Sequence, residues 1–219
     1  MLRLDIFSDP VCPWCLIGKT WLDRALEARP DHPFAVAWHP FRLNPDMPAG
    51  GMDRREYLEM KFGSPEAAVR VYAQVDAAAR EAGLTLDLGA ITRTPDTLDA
   101  HRLIHWAGLE GRQTAVVSAL FDAYFRRGRD IGDAETLVEI AAGAGMDPDL
   151  ARRLLASDAD RTDTAERDRR ARAAGIKAVP TFIVAGRHVV AGAQRPEFWM
   201  QVIDELVAAE GPQPGTPPA

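Results

Sequence analysis

Residues 2–26 read LRLDIFSDPVCPWCLIGKTWLDRAL, and the reading of this stretch decides the fold. Leu2, Leu4 and Ile6 alternate with Arg3 and Asp5. That period of two predicts a half-buried strand over Leu2 to Phe7, and it lacks the apolar core of a signal peptide. Asp9-Pro10 is a turn signal, and Pro13 stands where a helix tolerates proline, in its first turn. Ile17, Trp21 and Ala25 then recur at i, i+4 and i+8, with Leu22 and Leu26 beside them, which predicts a helix. Cys12 and Cys15 therefore fall at the joint where a strand passes into a helix.

That position carries chemistry. The first turn of a helix leaves backbone N–H groups unpaired and holds the positive end of the helix dipole, so a sulfur there is favoured as thiolate. A thiolate is the nucleophilic form of cysteine, which assigns attack to Cys12. Cys15, one turn further in and less exposed, is placed to resolve the mixed disulfide that attack creates. The chain has only these two cysteines. A loop as short as theirs gains little from closure, so a bond between them would serve chemistry rather than stapling. The plain alternative is a buried pair of small apolar residues.

Outward from this joint, Phe34, Val36 and Trp38 alternate along a second strand bounded by Pro33 and Pro40, and a loop runs from Asn44 to Gly51. Residues 53–174 read as helical without strand-like interruption. Helix starts are expected at Asp53, Ser64, Thr94, Asp133 and Asp147, and ends at Gly83, Gly108, Gly145 and Gly175. Thr181 to Val184 and Arg187 to Ala191 read as strands joined by a tight turn at Ala185-Gly186. A last helix opens at Pro196, with Phe198, Val202 and Leu206 at helical spacing. The order is β-α-β, helices, then β-β-α. This is an α/β chain with the element order of a thioredoxin core, split by a large all-helical insertion. The expected division is 1–52 with 175–210 as the thioredoxin-like domain, 53–174 as the inserted helical subdomain, and 211–219 as a disordered tail.

The formal charge of −6 argues against nucleic acid and anionic membranes as partners. No run of about 18 apolar residues is present to cross a membrane, and a cytoplasmic location is expected. Val179-Pro180-Thr181 enters the first strand of the C-terminal hairpin. Proline there removes a ladder donor and is also the residue at which a cis bond is cheap.

These stretches resemble the DsbA-like thioredoxin family, and more closely its FrnE-type branch. The resemblance rests on Phe7-Ser8-Asp9-Pro10-Val11-Cys12-Pro13-Trp14-Cys15, on Trp38-His39-Pro40-Phe41-Arg42-Leu43-Asn44-Pro45, on Asp99-Ala100-His101-Arg102-Leu103, on Val179-Pro180-Thr181-Phe182 and on Gly192-Ala193-Gln194. It implies a thiol–disulfide oxidoreductase with a helical cap over the cysteines, acting on protein or small-molecule thiols and disulfides. It places the nucleophile at Cys12, the resolving thiol at Cys15 and a cis-proline facing them at Pro180. Substrate contacts are expected from Pro13, Trp14, Val179, Pro180 and Thr181, with His39 and His101 bordering the site. No cofactor or metal is expected, glutathione is kept as a co-substrate, and a homodimer is left open. Two departures stand out. The second cysteine pair of some FrnE-type members is absent, and Asp96 stands where relatives often have asparagine. A related branch resembles 2-hydroxychromene-2-carboxylate isomerases and kappa-class glutathione transferases, which usually carry serine at the first cysteine position. A glutathione-dependent isomerase or transferase is therefore the alternative function.

His101 and His105 with the two cysteines spell a nominal zinc set, but the gap between its halves is far longer than the usual one. Trp14 is expected at the surface as a substrate contact, and Trp21, Trp38, Trp106 and Trp199 in the core. The charged run from Asp158 to Arg172, with i, i+4 pairs Asp163–Arg167, Glu166–Arg170 and Asp168–Arg172, reads as a solvated helix.

Overall fold

The computed structural model describes residues 1–210. Strand β1 (Leu2–Ser8) leads through the Asp9-Pro10 turn into helix α1 (Pro13–Ala28), and the chain returns along β2 (Phe34–Pro40), parallel to β1. The hairpin of β5 (Thr181–Val184) and β6 (His188–Ala191) completes a four-stranded mixed sheet in the order β2-β1-β5-β6, with β5 antiparallel to β1. Ala185 and Gly186 open the three-residue connection between Val184 and His188, and both take positive φ, 53° and 70°. α1 and the last helix, α9 (Pro196–Glu210), pack together, and Trp199 of α9 meets Phe182 of β5 edge-on at 4.8 Å between ring centroids. Trp199 and Ile203 form the buried centre of α9, whereas Phe198 is exposed and Val202 and Leu206 flank the centre. The fold is that of a thioredoxin-like core with a helical insertion between β2 and β5.

The insertion runs from α2 (Arg54–Phe62) and α3 (Pro65–Glu81) through α4 (Leu98–Leu109), α5 (Gln113–Arg127), α6 (Ala134–Gly143), α7 (Pro148–Leu155) and α8 (Arg161–Ala173). Asp53, Ser64, Asp133 and Asp147 cap their helices with side-chain oxygens, because each accepts N–H groups left over in the first turn. Gly83, Gly145 and Gly175 lie just past helix ends with positive φ.

Several expectations are corrected. Thr94 does not start a helix: it pairs with Met52 in a short ladder of β3 (Met52–Asp53) and β4 (Arg93–Thr94), two strands the sequence pattern did not suggest. Each is two residues long, too short for alternation to register. α4 begins only at Leu98, whose N–H is taken by Asp96 Oδ1 at 3.0 Å. Gly108 lies inside α4, and Arg187 lies in the turn before β6. Helix α8 is not wholly solvated. Asp168 is buried, accepts the Arg42 N–H at 2.9 Å and holds Arg172 at 3.2 Å, so it ties the insertion to the end of β2. On the exposed face the pairs are Asp163 with Arg167 and Arg170, and Glu166 with Arg169 instead of Arg170. Trp21, Trp38, Trp106 and Trp199 are buried, and Trp14 is 36% exposed. The expected tail, 211–219, lies outside the described residues.

Candidate active site

Cys12 is the N-cap residue of α1, with extended backbone (φ −91°, ψ 113°). Its N–H is held by the carbonyl of Asp9 at 2.9 Å, and its own carbonyl accepts the N–H groups of Cys15 and Leu16 at 3.1 and 3.3 Å. No side chain caps this helix, and its first turn contains no acidic residue. The positive end of the α1 dipole is thus left to the sulfur of Cys12. The Sγ–H points at the carbonyl of Val179, 3.7 Å away, across a Val179–Pro180 bond that is cis.

Both cysteines are free thiols, Cys12 4% and Cys15 1% exposed. Burial, followed by the hydrogen bond and the charge of Cys12, pushes the Cys15 thiol well above the ordinary cysteine range. Contacts with the Ser8 side chain and the Asp9 backbone pull it partly back. The two sulfurs are therefore unequal, one at a helix cap beside a cavity and the other one turn deeper against the end of β1.

A cavity of about 260 Å³ opens at Cys12, walled on one side by Pro13, Trp14 and Val179. The opposite wall comes from the insertion and its junctions: Arg54, Tyr57 and Lys61 of α2, Tyr72 of α3, and Lys177. Sequence reading missed this wall. Arg54, Tyr57 and Lys61 follow one another at i, i+3 and i+7 along α2, but that spacing marks only a helix face, and Tyr72 and Lys177 join it from elsewhere in the chain. A larger cavity of about 450 Å³ lies between α2 and α3 beyond Arg54 and Tyr72, but neither cysteine lines it, so the smaller one is the candidate site.

Pro180 and Thr181 are buried behind the cavity. The Pro180 ring sits against Gly18 of α1, and Thr181 donates to the carbonyl of Ala178 at 2.7 Å. The two histidines do not line the Cys12 cavity. They border a void of about 10 Å³, room for roughly one water, lined also by Ser8 and Pro10. His39 rests on the sheet beside Phe7, 2.5 Å from Asp5 Oδ1; burial lowers its pKa despite Asp5. His101 is buried with its Nε2 3.7 Å from a carboxylate oxygen of the buried Asp9, whose other oxygen accepts the Leu43 N–H at 2.6 Å. His105 meets Arg167 at 2.8 Å, away from the cysteines. Among the described residues no group of three or more His, Cys, Asp and Glu side chains is arranged to hold a metal ion. Asp96, the departure noted in the sequence, pairs with the buried Arg42 at 2.6 Å.

Residues 3–204 match the family model described as the DSBA-like thioredoxin domain. The chain belongs to that family. This DsbA-like protein is 31% identical to a probable DsbA oxidoreductase from Streptomyces coelicolor, with a TM-score of 0.82 over 100% of this chain and 94% of that one. Its fold is also shared by the cytosolic disulfide reductase DsbM from Pseudomonas aeruginosa, solved with GSH (21% identity, TM-score 0.64, 94% and 100% covered). A 2-hydroxychromene-2-carboxylate isomerase has the fold as well (15% identity, TM-score 0.68, 95% and 97% covered). No helix among the described residues is long and apolar enough to cross a membrane.

Proposed function

We propose that this DsbA-like protein exchanges disulfides with protein or small-thiol substrates, with Cys12 as nucleophile and Cys15 as resolving thiol. The observation that carries the reading is the inequality of the two sulfurs. Cys12 stands at an uncapped helix start beside a cavity, and Cys15 lies one turn behind it out of solvent. The Cys12 thiolate attacks one sulfur of a substrate disulfide, the S–S bond breaks, and the departing thiolate takes a proton. Cys15 then loses its proton and attacks the Cys12 sulfur, releasing the second substrate thiol. The substrate has gained two electrons and two protons, and the protein holds a Cys12–Cys15 disulfide that a further thiol must reduce. The half-exposed Val179, with its backbone beside Cys12, offers an extended substrate an edge to lie against, and Trp14 offers an apolar contact. The site suits a cytoplasmic setting, where thiols hold such a pair reduced.

Cys12→Ser is expected to abolish insulin reduction. Cys15→Ser is expected to leave a mixed disulfide that mass spectrometry detects as one added substrate thiol. Retained reduction in the Cys12 variant rejects the proposal. If that variant instead keeps glutathione-dependent turnover of an aromatic substrate, the isomerase or transferase reading takes its place.

A further inference from the structure

The wall opposite Cys12 holds a charge with no counter-charge. Arg54 is 8% exposed, and its guanidinium donates to the hydroxyls of Thr94 (3.0 Å), Tyr124 (3.5 Å) and Tyr72. The rings of Tyr57 and Tyr72 flank it with centroids at 5.6 and 5.5 Å. Among the described residues no carboxylate oxygen comes within 4.0 Å of it. Of the acids nearest in sequence, Asp53 accepts the N–H groups of Arg55 and Glu56, Glu59 pairs with Arg55, and Glu56 makes no ion pair with Arg54. Burying a cation among hydroxyls and aromatic rings, with no carboxylate, leaves part of its desolvation cost uncompensated. A glutamine could satisfy hydroxyl partners without that cost, so the retained charge calls for an anion.

Arg54 lines both the Cys12 cavity and the larger one beyond it, but its partners lie mainly on the Cys12 side. Three of the groups it touches, Tyr57, Tyr72 and Thr94, line the cavity at Cys12; only Tyr72 also lines the other. Lys61 and Lys177 add two more cations to the same lining, which contains no acidic residue although the chain as a whole is acidic. Lys61 spends its hydrogen bond on the Tyr57 hydroxyl at 2.6 Å. The cavity is therefore a cationic cup on an anionic molecule, with an apolar floor and a sulfur at its edge.

We infer that the Cys12 cavity selects thiols and disulfides that carry a carboxylate, and that Arg54 is the residue that receives it. The inference rests on the oxidoreductase reading for the reaction, but the charge preference can be tested apart from it. A carboxylate docked on Arg54 forms charge-assisted hydrogen bonds in a largely dry setting and neutralises the buried cation. Neutral substrates forgo that interaction, and cationic ones are repelled by all three side chains.

The test uses the full chain, pre-reduced and freed of reductant, mixed separately with dithiodipropionate, bis(hydroxyethyl) disulfide and cystamine. These are anionic, neutral and cationic disulfides of similar size. Oxidation of the protein is followed by thiol alkylation, and each rate is divided by that of mercaptoethanol with the same disulfide to remove intrinsic reactivity. The expected order is anionic, neutral, cationic, with about tenfold or more between the first two, as one charge-assisted hydrogen bond gives. In Arg54→Gln that ratio collapses, in Arg54→Lys it is partly kept, and in the surface variant Lys61→Gln it falls by a smaller factor. Equal normalised rates in the wild type, or an unchanged ratio in Arg54→Gln, overturn the inference. If no disulfide oxidises the protein, the oxidoreductase reading fails. The charge preference is then decided by titrating the unreactive thioether thiodipropionate on tryptophan fluorescence. Binding that weakens in Arg54→Gln supports it, and no binding, or binding unchanged in Arg54→Gln, overturns it.

Discussion

Replacing Gly18 with alanine sets two opposed effects of known size against each other at the back of the site. Gly18 lies in the interior of α1, where alanine is favoured over glycine by about 1 kcal/mol. An added Cβ would stand 3.1 Å from Cγ of Pro180 and 3.3 Å from Cα of Ala193. Both are closer than ordinary van der Waals contact, so the neighbours must yield by a few tenths of an ångström. Neither yields cheaply. Pro180 leads directly into β5, which is laddered to β1, and Ala193 contributes backbone. Overpacking of this kind costs about 1–3 kcal/mol. The expected net result is a loss of about 1 kcal/mol, or roughly 2–4 °C in melting temperature for a chain of this size. The effect on exchange should be larger than the effect on stability. Displacing Pro180 moves the Val179 carbonyl away from its position 3.7 Å from the Cys12 sulfur. If misplacement by 1 Å costs about a hundredfold, a few tenths costs roughly fivefold. Calorimetry gives the first quantity and the rate of insulin reduction the second. A Gly18→Ala protein that melts higher than wild type and reduces insulin at the wild-type rate would refute the claim that α1 and Pro180 are in rigid contact.

Two more outcomes follow from the site. Because burial and the neighbouring Cys12 raise the Cys15 thiol above its unfolded value, the folded reduced protein keeps a proton that the unfolded chain sheds above about pH 8.5. Its stability is thus full below that pH and falls as pH rises further. Cys15→Ala should flatten this slope in urea titrations, and an equal slope in both proteins would contradict the assignment. Asp96→Asn keeps an acceptor for the Leu98 N–H but leaves the buried Arg42 without its carboxylate, so unfolding free energy should drop by about 1–3 kcal/mol in denaturant. An unchanged midpoint would show that the pair contributes nothing.

The first part of the thioredoxin-like fold was legible because β1 and α1 each carry a clear hydrophobic period. Leu4 and Ile6 are buried on β1, and Ile17, Trp21 and Ala25 are buried on α1, as the periods of two and of 3.6 demand. Proline and glycine marked the remaining boundaries. The misreadings occurred where local signals were weak or contradicted. Thr94 before Pro95 looks like a helix cap, yet pairing with Met52 holds it extended. Asp168 looks like one more surface charge on α8, yet it anchors the backbone of Arg42. In both cases a distant partner outweighed the local preference, and a distant partner leaves no mark in nearby residues.

The sequence alone determined where the proposed nucleophile would stand. A strand, a proline-bearing turn and an amphipathic helix in succession put Cys12 at a helix start and Cys15 one turn behind, and those are effects of short range. The family resemblance placed Val179 and Pro180 near that sulfur, but only the tertiary structure decided which charges face it across the cavity. Val179 arrives from 167 residues away, and Arg54, Lys61 and Tyr72 come from helices whose own periodicity concerns their packing and not the cavity. The charge of a cavity is the sum of side chains brought together by folding, and no spacing along the chain encodes it.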